Sequence, residues 1–201
     1  MKLNGYLELV LGNKVSISVL RALLHHKGKI FTIRRLAEDA GVSHPAVSET
    51  VDELEKFGIV QIQPIGRSHQ VSLNEKSHVL NAIIEPIFEA EEKTLDHIIL
   101  ILKNHLSTKK IISAAIFGSV SRGEEKEDSD IDVLIISNDL EHASMTISNA
   151  GEEIFMKFHS KVSPIIFSET KFKSKKKSDL IRSILDNHIM IYGKKLESIL
   201  K

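Results

Sequence analysis

The sequence predicts an α+β protein in three parts, and three patterns carry that prediction. Residues 1–74 read as short helices of period 3.6 followed by a pair of strands, residues 75–107 as a long apolar helix, and residues 108–201 as a mixed sheet with interleaved helices. At 201 residues the chain is long enough to hold two small cores.

Composition narrows the class. Hydrophobic residues make up 42% and charged residues 27%, a balance that allows a packed core over most of the length. The 27 basic and 27 acidic residues cancel, so bulk charge does not coat nucleic acid and any such contact must come from a local patch. Cysteine is absent, which excludes a disulfide scaffold and Cys-ligated zinc or iron–sulfur sites. The opening MKLNGYLELVLGNK is broken by Glu8 and lacks the pattern of a secretory leader. No run of about eighteen apolar residues occurs, so the reading is cytoplasmic, with no membrane partner.

In chain order, Val15, Val19, Leu20, Leu23 and Leu24 mark one helical face from Lys14 to Lys27, closed by Gly28. Thr32 is placed to cap a second helix with Ile33, Leu36, Ala37 and Ala40 inward, ended by Gly41. Ser43 caps a third, with Pro45 in its first turn and Val47, Val51 and Leu54 on one side through Phe57. The second and third helices, joined by a short turn containing Gly, form a helix-turn-helix signature. Strand-like Ile59 to Ile62 and His69 to Leu73 follow, with a turn at 64–68 between them.

The stretch from Lys14 to Asn74 resembles the winged helix-turn-helix domains of transcription regulators, in which the ribbon is the wing. The resemblance implies binding to double-stranded DNA, with the recognition helix in the major groove and the wing on the backbone. It places Ser43, His44, Pro45 and Ser48 nearest base edges and Arg67 and His69 near phosphates. Glu49, Asp52, Glu53 and Glu55 depart from a strong binder, leaving affinity to the first turn, Arg34, Arg35 and the wing; the alternative use of such a domain is dimerisation or protein contact. A histidine metal site is not expected, since His25 and His26 are adjacent and His44 and His69 lack a ligand three or four residues away.

Between Glu75 and Lys110, apolar residues at intervals of three and four predict a helix, interrupted by Pro86 as a kink or as two helices. This segment either seams a homodimer or packs on its own chain.

The last part carries the chemistry. Ile111 to Phe117 and Ile131 to Ile136 read as buried strands, and between them stand Gly118, Ser119, Arg122, Gly123, Ser129, Asp130 and Asp132. Aspartates at i and i+2 on a strand share a face, where they repel unless a cation lies between them. Gly118 permits close backbone approach and Ser119 with neighbouring amides can hold phosphate groups. Arg122 either adds charge-assisted phosphate contacts or serves as a salt-bridge partner, and Ser129 orients the loop. A helix near 144–158, a strand at Val162 to Phe167, a helix at 178–187 and a closing strand at 190–193 complete the unit. The lysines from Lys171 to Lys177 read as a solvated loop or a phosphate-attracting run, and residues 194–201 as a fraying end.

IFGSVSRGEEKEDSDIDVLI resembles the nucleotidyltransferase signature of the DNA polymerase β superfamily in its minimal form. The resemblance implies that Asp130 and Asp132 are catalytic and hold Mg²⁺, that Gly118, Ser119, Arg122 and Ser129 bind a nucleoside triphosphate, and that a hydroxyl attacks the α-phosphorus as pyrophosphate departs. Active members carry a third carboxylate on a later strand; here that strand is Lys161 to Phe167, with Ser163 at the position, so the expectation divides between transferase and nucleotide sensor. Minimal nucleotidyltransferases also act as antitoxins beside an all-α toxin, which would make a protein the principal partner.

Overall fold

The computed structural model describes residues 5–66, 68–126 and 128–201. The chain divides into two compact units, Met1–Lys93 and Thr94–Lys201. The segment from 75 to 107 is thereby shared between them.

In the first unit, α1 (Tyr6–Leu11) is followed by α2 (Lys14–His25), then β1 (Phe31–Thr32) leads into α3 (Ile33–Ala40) and α4 (His44–Lys56). Caps set these boundaries. The Asn13 side chain accepts from the Val15 amide and the Thr32 hydroxyl from the Arg35 amide. Gly41 ends α3 at φ 67°, a left-handed conformation that a side chain resists. Ser43 has the extended backbone of an N-cap but makes no side-chain cap bond. Val19, Leu20, Leu23, Leu36, Val47, Val51 and Leu54 face one another in the core.

β2 (Val60–Ile65) and β3 (Ser68–Leu73) form an antiparallel hairpin that pairs Ile65 with Ser68. The turn is therefore tighter than residues 64–68, because both strands keep pairing to the last residue. β1 adds a third strand on β3, giving the order β1-β3-β2. Pro64 stays within β2, which tolerates a missing N–H because it is an edge strand.

Helix resumes with a π-helical turn at Leu80–Ile84, then α5 (Glu85–Glu92). The Glu85 amide donates to the Leu80 carbonyl, the wider π spacing. Pro86 follows directly, so the break that proline imposes is absorbed as one widened turn. Leu80, Ile84 and Phe88 belong to the first core.

The second unit opens with α6 (Thr94–Leu106), followed by β4 (Ile111–Phe117), α7 (Gly118–Arg122), β5 (Ile131–Ser137), α8 (Leu140–Phe158) and β6 (Val162–Phe167). α9 (Glu169–Ser174), α10 (Asp179–Asp186), β7 (Ile189–Gly193) and α11 (Leu196–Ile199) complete it. The sheet order is β6-β5-β4-β7, with β5 and β6 parallel and the other pairs antiparallel. Alternation along β4 and β5 sends Ala114, Ile116, Val133 and Ile135 to a core shared with α6 and α8. It sends Ala115, Phe117, Leu134 and Ile136 to a core with α9, α10 and α11. The sequence reading of a mixed sheet with helices, and of an α+β protein, stands.

The Ile131 amide bonds the Lys161 carbonyl, so Val162, Pro164 and Ile166 turn their backbone groups to the outer edge of β6. α8 begins at Leu140 rather than near 144, because Asp139 caps it by accepting from the His142 amide. Two short helices occupy stretches read as loop and fraying end: α9, anchored by the fully buried Phe172, and α11, anchored by Leu196 and Ile199. Among the described residues no helix is long and apolar enough to cross a membrane.

Candidate functional site

β4 ends at Phe117, which pairs with Asp132 near the start of β5. The chain leaves β4 through Gly118 at φ 78°, and a Cβ placed there would collide with the Asp132 carboxylate. Glycine suits both conditions, the left-handed φ and the carboxylate lying where a Cβ would be. α7 then turns once and stops at Gly123, whose amide closes onto the Ser119 and Val120 carbonyls. Ser121 was not anticipated. Its hydroxyl donates to the Gly118 carbonyl at 2.9 Å and lies 3.2 Å from the Asn187 carbonyl, tying the turn to the start of β7. The only sequence signal for it was a second serine inside Gly-Ser-Val-Ser.

Asp130 is exposed just before β5, and Asp132 is half-buried within it. Burial, and then the neighbouring charge of Asp130, push the Asp132 carboxyl above its ordinary pKa. Two such acceptors with one charge disfavoured are the donor chemistry that a hard divalent cation takes, and Mg²⁺ completes its shell with water and phosphate oxygens, so the pair fits Mg²⁺. Asp132 is the register partner of Ser163 on β6. Among the described residues no group of three or more His, Cys, Asp or Glu side chains comes together to hold a metal.

Glu153, on α8, is held by Lys157 at 2.7 Å and His105 at 2.8 Å, and these contacts, Lys157 first, keep its pKa low. Asp128 is exposed on the loop, and Glu127 lies outside the described residues.

Arg122 directs Nε to Glu124 at 2.7 Å, the salt-bridge alternative, and this surface pair is easily exchanged for a stronger anion. Ser129 accepts from the Lys126 amide at 2.8 Å while its own amide donates to the Lys126 carbonyl at 2.9 Å. It therefore closes the loop that delivers Asp130. Ser119 is half-buried at the start of α7 and offers its carbonyl to the Glu124 amide at 3.0 Å.

In the first unit, Ser43, His44 and Pro45 are exposed at the start of α4, with Ser48 half-buried one turn on. His69 is exposed on β3 opposite Pro64, and Arg67 lies outside the described residues. Arg34 pairs with Glu38 at 3.3 Å and Arg35 with Asp39 at 3.0 Å. Glu55 accepts from the Ile62 amide at 3.0 Å, so one acid of α4 fastens that helix to β2.

A family model described as Nucleotidyltransferase domain matches residues 81–191, more than half of the chain. No curated protein matches it. Among solved structures, a toxin–antitoxin crystal structure with AMP-PNP is similar at 18% identity and TM-score 0.38, covering 53% of this chain and 81% of that one. A mutant of the toxin–antitoxin MntA-HpeT is similar at 16% identity and TM-score 0.37, over 52% and 79% of the two chains. TrmBL2, an archaeal chromatin protein, is similar at 17% identity and TM-score 0.30, over 90% of this chain and 73% of that one.

Proposed function

Because this chain belongs to the nucleotidyltransferase domain family, we propose that its C-terminal unit binds a nucleoside triphosphate with Mg²⁺ and that the whole chain is a cytoplasmic, homodimeric, DNA-binding transcription regulator. Close approach of the Gly118 backbone to the Asp132 carboxylate carries the nucleotide half of this reading. It leaves the turn amides and Ser119 free of side-chain obstruction beside the two acids. Asp130 and Asp132 would hold the cation, which neutralises the carboxylates and phosphate oxygens when bound. Arg122 would exchange Glu124 for a phosphate oxygen.

Transfer asks for more. An acceptor hydroxyl would form a bond to the α-phosphorus while the bond to the departing pyrophosphate breaks, and the hydroxyl proton needs a base. Beside Asp132 stands Ser163, whose hydroxyl is no base at neutral pH and adds no charge to a metal site. Binding without transfer is therefore the role assigned.

The N-terminal half of the proposal rests on α3, the short turn and α4 followed by the β2–β3 hairpin, the order of a winged helix-turn-helix. Ser43, His44, Pro45 and Ser48 would face base edges and Arg67 and His69 the backbone. Dimerisation would match a two-fold operator.

Titration calorimetry with each of the common nucleoside triphosphates tests the site. Mg²⁺-dependent binding that is lost in Asp130→Asn with Asp132→Asn is expected, and no binding of any triphosphate overturns it. With α-labelled triphosphates no incorporation is expected. Label on DNA or a small acceptor, lost in the double variant, would make the protein a transferase, and label on an all-α partner protein would make it an antitoxin. Binding to its own promoter should weaken in Arg67→Ala and in Ser48→Ala, and unchanged affinity in both removes the regulator half.

A further inference from the structure

The sheet of the second unit has two chemically opposite ends. Ile116 pairs with Ile189, Phe117 with Asp132 and Asp132 with Ser163, which puts the nucleotide site, with Glu124, Glu125, Asp128 and Asp130, at one end. Ile111 pairs with Ser137, Ser113 with Gly193 and Ile136 with Phe167 at the other. Lysines gather at that second end. Lys109 precedes β4, Lys194 and Lys195 follow β7, and Lys171 with Lys175 to Lys177 lies on α9 and the turn after it. Lys194 acts electrostatically on Glu169 at the start of α9, so the two groups are neighbours.

Their order is what separates this cluster from a solvated run. Lys171 and Lys175 set their ammonium groups 5.6 and 5.7 Å from the centre of the Phe167 ring, a cation–π anchor shared by the two. Two acids at this end have lysine partners, Asp139 holding Lys110 at 2.7 Å and Glu169 holding Lys173 at 2.8 Å, and Glu141 and Glu197 are outnumbered by the remaining lysines. Among the described residues, Lys109, Lys171, Lys175, Lys176, Lys177 and Lys195 form no ion pair. The chain as a whole is neutral, so this is a local surplus of positive charge.

We propose that the lysine end of the second unit binds the phosphate backbone of nucleic acid, without regard to sequence. Ammonium groups on flexible stems neutralise phosphates as point charges and do not read base edges. Phe167, the aromatic at the centre, is only 6% exposed and offers nothing to insert into a lipid surface. Charge separation within the unit holds the acidic nucleotide site away from the bound polyanion. The inference stands on this charge arrangement and not on the proposed DNA contacts of α4.

Fluorescence anisotropy of the full chain with a labelled random-sequence duplex, as a function of NaCl, tests it. Lys171→Gln with Lys175→Gln, Lys176→Gln and Lys177→Gln should flatten the slope of log affinity against log salt by about 2 to 4. Affinity near 0.1 M salt should fall on the order of 100-fold. The matching four-fold Lys→Arg variant should keep wild-type binding and wild-type melting, and the Gln variant should stay folded at the assay temperature, losing only the cation–π contacts to Phe167 because these side chains are exposed. An unchanged slope overturns the proposal. So does a loss confined to phosphatidylserine vesicles, or to an acidic peptide, with duplex binding intact. The α4 assignment is read separately, through the promoter affinity of Ser48→Ala, so failure of one reading is distinct from failure of the other.

Discussion

Asp132 on β5 and Ser163 on β6 are register partners in adjacent parallel strands, so their side chains leave the same face of the sheet side by side. A third acid is thus a single substitution away. Ser163→Asp should raise Mg²⁺–nucleotide affinity on the order of tenfold, since ligand charge tunes cation binding. It should also permit label transfer from an α-labelled triphosphate to a hydroxyl acceptor. In metal-free buffer the same variant should be less stable than wild type, through added repulsion. Equal stability with and without EDTA would show that residue 163 does not share the site.

Gly118 has a left-handed backbone and leaves its Cβ space to the Asp132 carboxylate. Gly118→Ala should cost about 1–2 kcal/mol in urea unfolding, chiefly from the backbone, and should push the Asp132 carboxylate out of place. Nucleotide binding should disappear even where the variant remains folded. Retained binding would mean that the turn moves freely.

The raised pKa of Asp132 has a pH signature. The folded protein holds that proton to higher pH than the unfolded chain does, so stability falls as pH rises from the unfolded pKa through the folded one. Asp130→Asn removes the smaller of the two causes, and the fall should shrink without vanishing. Saturating Mg²⁺ should shrink it too. Urea midpoints across roughly pH 4 to 7, in EDTA and in Mg²⁺, read the effect; identical profiles for wild type and Asp130→Asn would sever the link between the two acids.

Phe172 is fully buried among Phe167, Leu196 and Ile199. Phe172→Ala should destabilise the protein by about 3–5 kcal/mol, the cost of a large core truncation. Because Phe172 seats α9, the variant should also weaken random-duplex binding, through loss of position for Lys171 and Lys175 rather than loss of charge.

These residues also show what was legible beforehand. β4 and β6 begin and end at the residues read from the sequence, since short, mainly apolar runs between polar turns leave little freedom. N-cap candidates Thr32 and Ser43 marked helix starts for the same local reason, although only Thr32 closes the cap bond. α9 was hidden because five polar residues surround one Phe, and only the sheet beneath it makes that Phe decisive. β1 is two residues long and exists through its pairing with β3. The site motif was legible as residue types, but the pairing of Asp132 with Ser163 and the Ser121 link to Asn187 are tertiary relationships.

Pro164 points its ring nitrogen out from the free edge of β6, between the outward amides of Val162 and Ile166. A visiting strand would find no donor at the middle of that edge, so cross-β stacking is interrupted where the sheet is most exposed to it. The apolar run that makes β6 fold correctly would, with a valine at 164, also be an aggregation template. One imino acid lets the same six residues serve as a core strand without recruiting another copy of themselves.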